Sequence, residues 1–215
     1  MSGGNPAIDS LLFVVLVAPI AVYFLLLGLV NSHATPCLIS SRSDFVALTV
    51  VFLPLLVAPM PALVGSGAAW LLVVEAGLVG WLFHQMLPGR RAGWVIYNIS
   101  AARARAVVEQ AAADAGWNGT WQDESWRGPA GTVRLTSLPV LRNVTVHLDP
   151  TTGTTDQTVA ALERAISGRL GRIRQLPSTA GACLVMLGVS LLAVPIWMMG
   201  RHIQDVVEAM VHLFG

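Results

Sequence analysis

Lysine is missing from this chain altogether, and charge of either sign is scarce: 13 arginines and 12 acids stand in 215 residues. Only 12% of the residues are charged while 54% are hydrophobic, a balance that favours the membrane class over a soluble domain of this length. The lack of lysine is read as the coding bias of a GC-rich bacterial genome, not as a demand for guanidinium chemistry. Cysteine is nearly absent too: Cys37 and Cys183 alone make no disulfide framework. Common catalytic motifs are also missing, with no glycine-rich phosphate loop, no G-x-S-x-G elbow and no H-E-x-x-H helix. The chain therefore says more about architecture than about a reaction.

What it does have is four long apolar runs. The first, Ser10 to Val30, carries no charge and is long enough to cross a hydrocarbon core of roughly 30 Å. Residues 1 to 8 hold no arginine and the apolar run is long, so it reads as a span despite a cleavage-like Ser32-His33-Ala34. A second run, Phe45 to Leu63, contains Pro54, Pro59 and Pro61 and is expected to kink at Pro54 and end near Pro59. The tight Gly65-Ser66-Gly67 link then predicts an antiparallel hairpin into the third run, Ser66 to Leu87, where Gly77 and Gly80 are expected to let helices pack closely. The fourth run is Thr179 to Gly200. Beyond it, Ile203, Val206, Val207, Met210, Val211 and Phe214 share one helical face, predicting an amphipathic C-terminal helix over 201–215.

Arginine placement sets the orientation. Arg42, Arg90, Arg91, Arg169, Arg172 and Arg174 fall on one side of a four-span topology, and only Arg201 lies near the other. The positive-inside rule makes the first side cytoplasmic.

Between the third and fourth runs the pattern changes. Strands are predicted at Trp94–Ile99, Thr120–Trp126, Thr132–Leu138 and Arg142–Leu148, with period-two alternation clearest in the last two. Ser100 is placed to cap a helix over Ala101–Ala115 that Gly116 ends; its stripe is Ala104, Val107, Val108, Ala111 and Ala115. A second helix is predicted from Thr155 to Arg174 with Val159, Leu162, Ile166, Leu170 and Ile173 inward. The expected fold is thus an α-helical membrane protein of about four transmembrane helices with an inserted soluble α+β domain of order β-α-β-β-β-α. Its parts are a three-span membrane domain (1–88), the soluble domain (89–178), the fourth span (179–200) and the terminal helix (201–215).

Three segments carry a resemblance: Asn31-Ser-His-Ala-Thr-Pro-Cys-Leu-Ile-Ser40 before the second run, Tyr97-Asn-Ile-Ser100 at the helix start, and Leu141-Arg-Asn-Val-Thr-Val146. The chain resembles uncharacterised bacterial multi-pass membrane proteins with a small α+β insert. That resemblance implies the architecture only and brings no activity, cofactor or partner with it.

A few polar or aromatic residues remain as site candidates. Glu75 sits mid-span, where an ionised carboxylate is costly and must be protonated, hydrated or paired. It is read either as a proton or cation relay or as a protonated partner for backbone freed at Pro54. His33, Cys37, His84 and Cys183 have the chemistry of a tetrahedral zinc site, but their spacing matches no finger or ribbon, so no metal or cofactor is expected. Arg90, Arg91, Arg169, Arg172 and Arg174 are expected at lipid headgroups, not on nucleic acid, because no basic helix-terminal loop accompanies them. Trp117, Trp121 and Trp126 are candidates for a partner surface, with a core role as the competing reading. The sequons at Asn98, Asn118 and Asn143 are taken as coincidental.

Together these features lead to an inner-membrane, multi-pass protein without enzymatic activity. Its cytoplasmic domain is expected to bind a partner or pack against other membrane subunits or a second copy. The alternative is a transporter or ion-pathway subunit using Glu75, and a third reading is a membrane enzyme built on the His/Cys set.

Overall fold

A computed structural model describes residues 6–58, 70–89, 93–152 and 154–201. Among the described residues there are six α-helices and one six-stranded sheet. The helices are α1 (Pro6–Ser32), α2 (Ser41–Val57), α3 (Trp70–Met86), α4 (Ala101–Asp114), α5 (Asp156–Leu170) and α6 (Thr179–Arg201). The strands are β1 (Cys37–Ser40), β2 (Gly93–Tyr97), β3 (Thr120–Gln122), β4 (Ser125–Gly128), β5 (Gly131–Leu138) and β6 (Asn143–Pro150).

Among the described residues two helices are long and apolar enough to cross a membrane: Leu12–Ser32 within α1, at mean hydropathy 2.8, and Thr179–Met198 within α6, at 2.1. Most of their side chains are uncovered, which is not how the core helix of a soluble domain is packed. Helix α3 is apolar throughout, α2 less so with Arg42 and Asp44 in its first turn; neither buries a residue, and each has 17 described residues. That gives about 25 Å of helix, short of the roughly 30 Å of a hydrocarbon core. Of the four expected spans, two are of span length among the described residues. Helix α2 runs through Pro54 and closes with the Ala58 N–H donating to the Pro54 carbonyl at 2.9 Å. Pro59, Pro61, the Gly65-Ser66-Gly67 link and the stripe from Ile203 to Phe214 lie outside the described residues.

The chain forms two compact units. One comprises the described parts of Met1–Leu26, Ala47–Met86 and Leu184–Gly215; the other comprises those of Leu27–Val46 and Leu87–Cys183. In the helical unit, a Cβ on Gly188 of α6 would come within 2.9 Å of the Ala21 carbonyl and 2.7 Å of Leu25 of α1. Only glycine allows so close an approach. A Cβ on Gly77 or Gly80, expected to serve this purpose, meets nothing within 4 Å among the described residues.

The second unit contains the whole sheet, in the order β1-β2-β6-β5-β4-β3, with every neighbouring pair antiparallel. Sequence periodicity is what closes its core. Trp94 and Ile96 of β2, Trp126 of β4, Val133 of β5 and Val144, Val146 and Leu148 of β6 all point to one face. Onto it pack Ala104, Val107, Val108 and Ala111 of α4 and Val159, Leu162, Ile166 and Leu170 of α5. Gly116, at φ +75°, ends α4 with a Schellman pair: its N–H donates to Ala113 at 3.1 Å and the Trp117 N–H to Ala112 at 2.8 Å. Ser100 occupies the N-cap of α4 without a side-chain cap bond, whereas the Thr155 hydroxyl accepts the Thr158 N–H at 3.3 Å to cap α5.

Two differences from the predicted order have physical causes. The stretch Thr120–Trp126 is not one strand but a hairpin, β3 and β4, turning at Asp123 (φ 54°) and Glu124. Five residues apart, Trp121 and Trp126 would face opposite ways in a single strand; the hairpin sets them directly across from each other. Secondly, Cys37–Ser40 is a strand. It pairs with β2 from Cys37 opposite Tyr97 to Ser40 opposite Trp94, so the segment between two apolar helices becomes the edge of the sheet.

Candidate functional site at the foot of the sheet

The polar groups of the sheet unit converge where the apolar helices enter it. After α1 ends at Ser32, residues 33–36 cross to β1. The Asn98 amide donates from Nδ2 to the His33 carbonyl at 2.8 Å, and the Gln175 N–H donates to the next carbonyl, Ala34, at 2.8 Å. Arg142 in turn donates through Nη2 to the Gln175 side-chain carbonyl, and its own carbonyl accepts the Ile99 N–H at 2.8 Å. On the neighbouring side the Tyr97 hydroxyl donates to the Asp44 carboxylate in the first turn of α2. One crossing segment is thus gripped by residues from the end of β2, the start of β6 and the approach to α6.

Burial makes this grip costly to break. Asn31 and Asn98 are fully inaccessible, and Gln175 and Ser178 are buried. Asn31 Nδ2 donates to Leu27 at 2.9 Å, and Ser178 Oγ accepts the Gly181 N–H at 2.9 Å to start α6. A Cβ on Gly181 would lie 3.0 Å from the Gly28 carbonyl and 2.6 Å from Ser32 Oγ, so the last turn of α1 and the first of α6 touch backbone to backbone. Asn98 and Arg142 hold left-handed backbones, φ 57° and 52°. For a non-glycine residue that conformation persists only where the surroundings enforce it. The arrangement is a clamp: it fixes helix ends to the sheet and shows no nucleophile paired with a base.

Few of the site residues expected from sequence belong to it. His33 contributes its carbonyl, while its Nδ1 lies 2.9 Å from the Thr35 hydroxyl. His33 and Cys37 line a shallow cleft with Leu29, Val30, Thr35 and Pro36. Cys183 is exposed, and among the described residues no three His, Cys, Asp or Glu side chains gather where an ion could bind. Glu75 is half-buried on α3, with no hydrogen-bond or ion-pair partner found among the described residues.

Arg169, expected at lipid headgroups, bonds within the sheet unit. Its Nε donates to Asp114 Oδ2 at 2.7 Å and its Nη1 to Gln110 Oε1 at 2.6 Å, tying α5 to α4. The hydrogen bond from Arg169 holds the Asp114 carboxyl below its usual range; desolvation opposes this, and the charges of Arg169 and Arg172 add to it. Arg172 and Arg174 are exposed, and Arg90 and Arg91 lie outside the described residues.

The tryptophans divide. Trp117 and Trp126 are core, their rings 6.3 Å apart, and Trp126 is enclosed by Gly119 and Gly128, where any Cβ would strike its ring. Only Trp121 reaches a surface. The Arg105 guanidinium lies 4.6 Å from its ring centroid, and the two line an open groove of about 270 Å³ with Ala101, Ala102, Glu124 and Leu135.

Sequence reasoning missed Asp44, Tyr97, Asn98, Arg142 and Gln175 as a set. The usable signal was the uncharged polar residues Asn31, Asn98 and Gln175 set against apolar runs, but their convergence depends on pairings more than 50 residues apart. No protein-family model, no curated protein and no solved structure matches the chain.

Proposed function

We propose that this chain is a multi-pass inner-membrane protein acting as a non-enzymatic scaffold or subunit, with its sheet unit on the cytoplasmic side as the docking module. The observation that carries this reading is β1. A strand drawn from between two apolar helices is built into the sheet edge and clamped there by Asn98, Gln175 and Tyr97. In this reading α2 and α3 complete four spans, the arginine asymmetry orients them, and the Trp121–Arg105 groove faces a partner subunit or a second copy.

Affinity purification in mild detergent tests the proposal. A stoichiometric co-purifying subunit, or a defined homo-oligomer by light scattering, is expected. A lone monomer under the gentlest extraction overturns the scaffold role, and reporter fusions that place the sheet unit outside the cell overturn the orientation.

A second reading has one observation in its favour, the Glu75 carboxylate without a partner among the described residues. An acid so placed in a span is where a proton or cation path would run. Flux across proteoliposomes that is unchanged in Glu75→Gln removes this reading.

A further inference from the structure

We infer that the face of the sheet opposite α4 and α5 docks on the anionic headgroups of a bilayer, and that Arg127 and Arg134 hold it there. The inference rests on the membrane reading above and names different arginines from those of the helix layer.

Strand alternation fixes which residues share this face. Trp126, Val133, Val144, Val146 and Leu148 point into the core beneath α4 and α5. Their neighbours Arg127, Thr132, Arg134, Thr136, Thr145 and His147 therefore point the other way. The register gathers them into one patch: Arg134 lies opposite His147, Arg127 opposite Thr132, and Thr136 opposite Thr145. Both arginines, Thr136 and His147 are exposed.

The same face carries the start of an apolar helix. Val95 and Tyr97 alternate with the core residues Trp94 and Ile96, so they look away from α4 and α5, yet both are buried. The Tyr97 hydroxyl reaches Asp44 in the first turn of α2. Helix α2 thus begins on the side of β2 away from α4 and α5, and strands β6, β5 and β4 extend from β2 beside that starting point. The start of α2 and the arginine patch therefore share one face of the sheet.

Chemistry agrees with position. Two guanidinium groups and an imidazole face one acid, Asp149, on the same strands. Guanidinium forks match phosphate oxygens, and threonine hydroxyls add donors. At the end of β5, Leu138 lies on this face and is 54% exposed, suiting the boundary between headgroup and acyl chain. On the opposite layer Arg169 is committed to Asp114 and Gln110.

The test uses the full chain with Cys37 and Cys183 replaced by serine, reconstituted in nanodiscs of phosphatidylcholine alone or mixed with phosphatidylglycerol. An environment-sensitive fluorophore is placed through Thr136→Cys on the open face, with Thr132→Cys as a second site there. Glu109→Cys on α4 serves as the aqueous reference and Val22→Cys on α1 as the lipid reference. With phosphatidylglycerol present, the open-face label should be shielded from iodide relative to the Glu109 label and quenched by shallow nitroxide lipid. Arg127→Gln with Arg134→Gln, or removal of phosphatidylglycerol, should shift the docked population by roughly 30-fold, at about five-fold per arginine. An open-face label as accessible to iodide as the Glu109 label sinks the inference. So does shielding without nitroxide quenching, which means protein covers the face, or shielding that ignores phosphatidylglycerol. If the Val22 label also escapes nitroxide lipid, the membrane reading fails; failure at Thr136 and Thr132 alone leaves that reading standing.

Discussion

The Tyr97 hydroxyl, at the end of β2, donates to the carboxylate of Asp44, 53 residues earlier, in the first turn of α2. This bond ties β2 to the first turn of the helix that follows β1 directly in the chain. An acid in a helix's first turn also meets the positive end of the helix dipole, so Asp44 is held from two directions.

Removing the donor should therefore loosen the foot of the sheet. Tyr97→Phe keeps the ring and leaves Asp44 short of a buried partner. Hydrogen bonds to charged groups contribute roughly 1.5–3 kcal/mol, and unfolding of the detergent-solubilised protein should show a loss in that range. Hydrogen exchange should rise at residues 37–40 before it rises in β5 and β6. Uniform exchange across the sheet would mean the bond is not a local fastening.

The Asp114–Arg169 pair predicts an acid response. The folded pKa of Asp114 is lowered, so its contribution to stability is complete above the ordinary carboxylate value and fades as pH falls through the lowered one. Stability of the sheet unit should thus decline on acidification below about pH 4, and less steeply in Asp114→Asn. The pair is solvent-exposed, with side-chain accessibilities of 32% and 51%. Its effect is consequently small and should shrink in high salt. A slope unaffected by Asp114→Asn would show that other carboxylates govern the acid limb.

Local pattern made the two-helix core legible. The stripes Ala104, Val107, Val108, Ala111 and Val159, Leu162, Ile166, Leu170 are buried, as their spacing predicts, because an amphipathic face can be read without knowing what it packs on. The same holds for Val144, Val146 and Leu148. What pattern could not supply was β1. Cys37–Ser40 is four residues long, and its pairing to β2 is decided by contacts across nearly 60 residues. The turn at Asp123 and Glu124 was hidden because it uses neither glycine nor asparagine, the usual residues at a left-handed turn position. Trp117 and Trp126 looked like surface candidates because composition cannot tell a buried indole from an exposed one.

Glycine positions separate contact from coincidence in the apolar helices. Gly188→Ala places a methyl group 2.9 Å from the Ala21 carbonyl, so α1 and α6 must part. Overpacking of this kind costs about 1–3 kcal/mol, and cross-linking between cysteines on α1 and α6 should fall. Gly77→Ala and Gly80→Ala meet no atom within 4 Å among the described residues. They should be neutral or slightly stabilising through helix propensity alone. Equal damage at all three positions would refute the specific seam at Gly188.

Trp126 and Trp121 stand opposite each other in one hairpin and should behave differently on truncation. Trp126 fills a pocket walled by Gly119 and Gly128, so Trp126→Ala leaves a cavity in the core of the sheet unit and should cost about 3–5 kcal/mol. Loss of folded protein on expression is the expected outcome. Trp121 is half-buried with Arg105 lying over its ring, and truncation there removes one wall of the open groove. Trp121→Ala should keep a cooperative melt while reducing co-purification of the partner or second copy. Arg105→Ala should do the same with less loss of stability, because it removes the cation and leaves the indole in place. A partner retained at full yield by both folded variants would take the groove out of the docking surface and leave Trp121 as one more core contact.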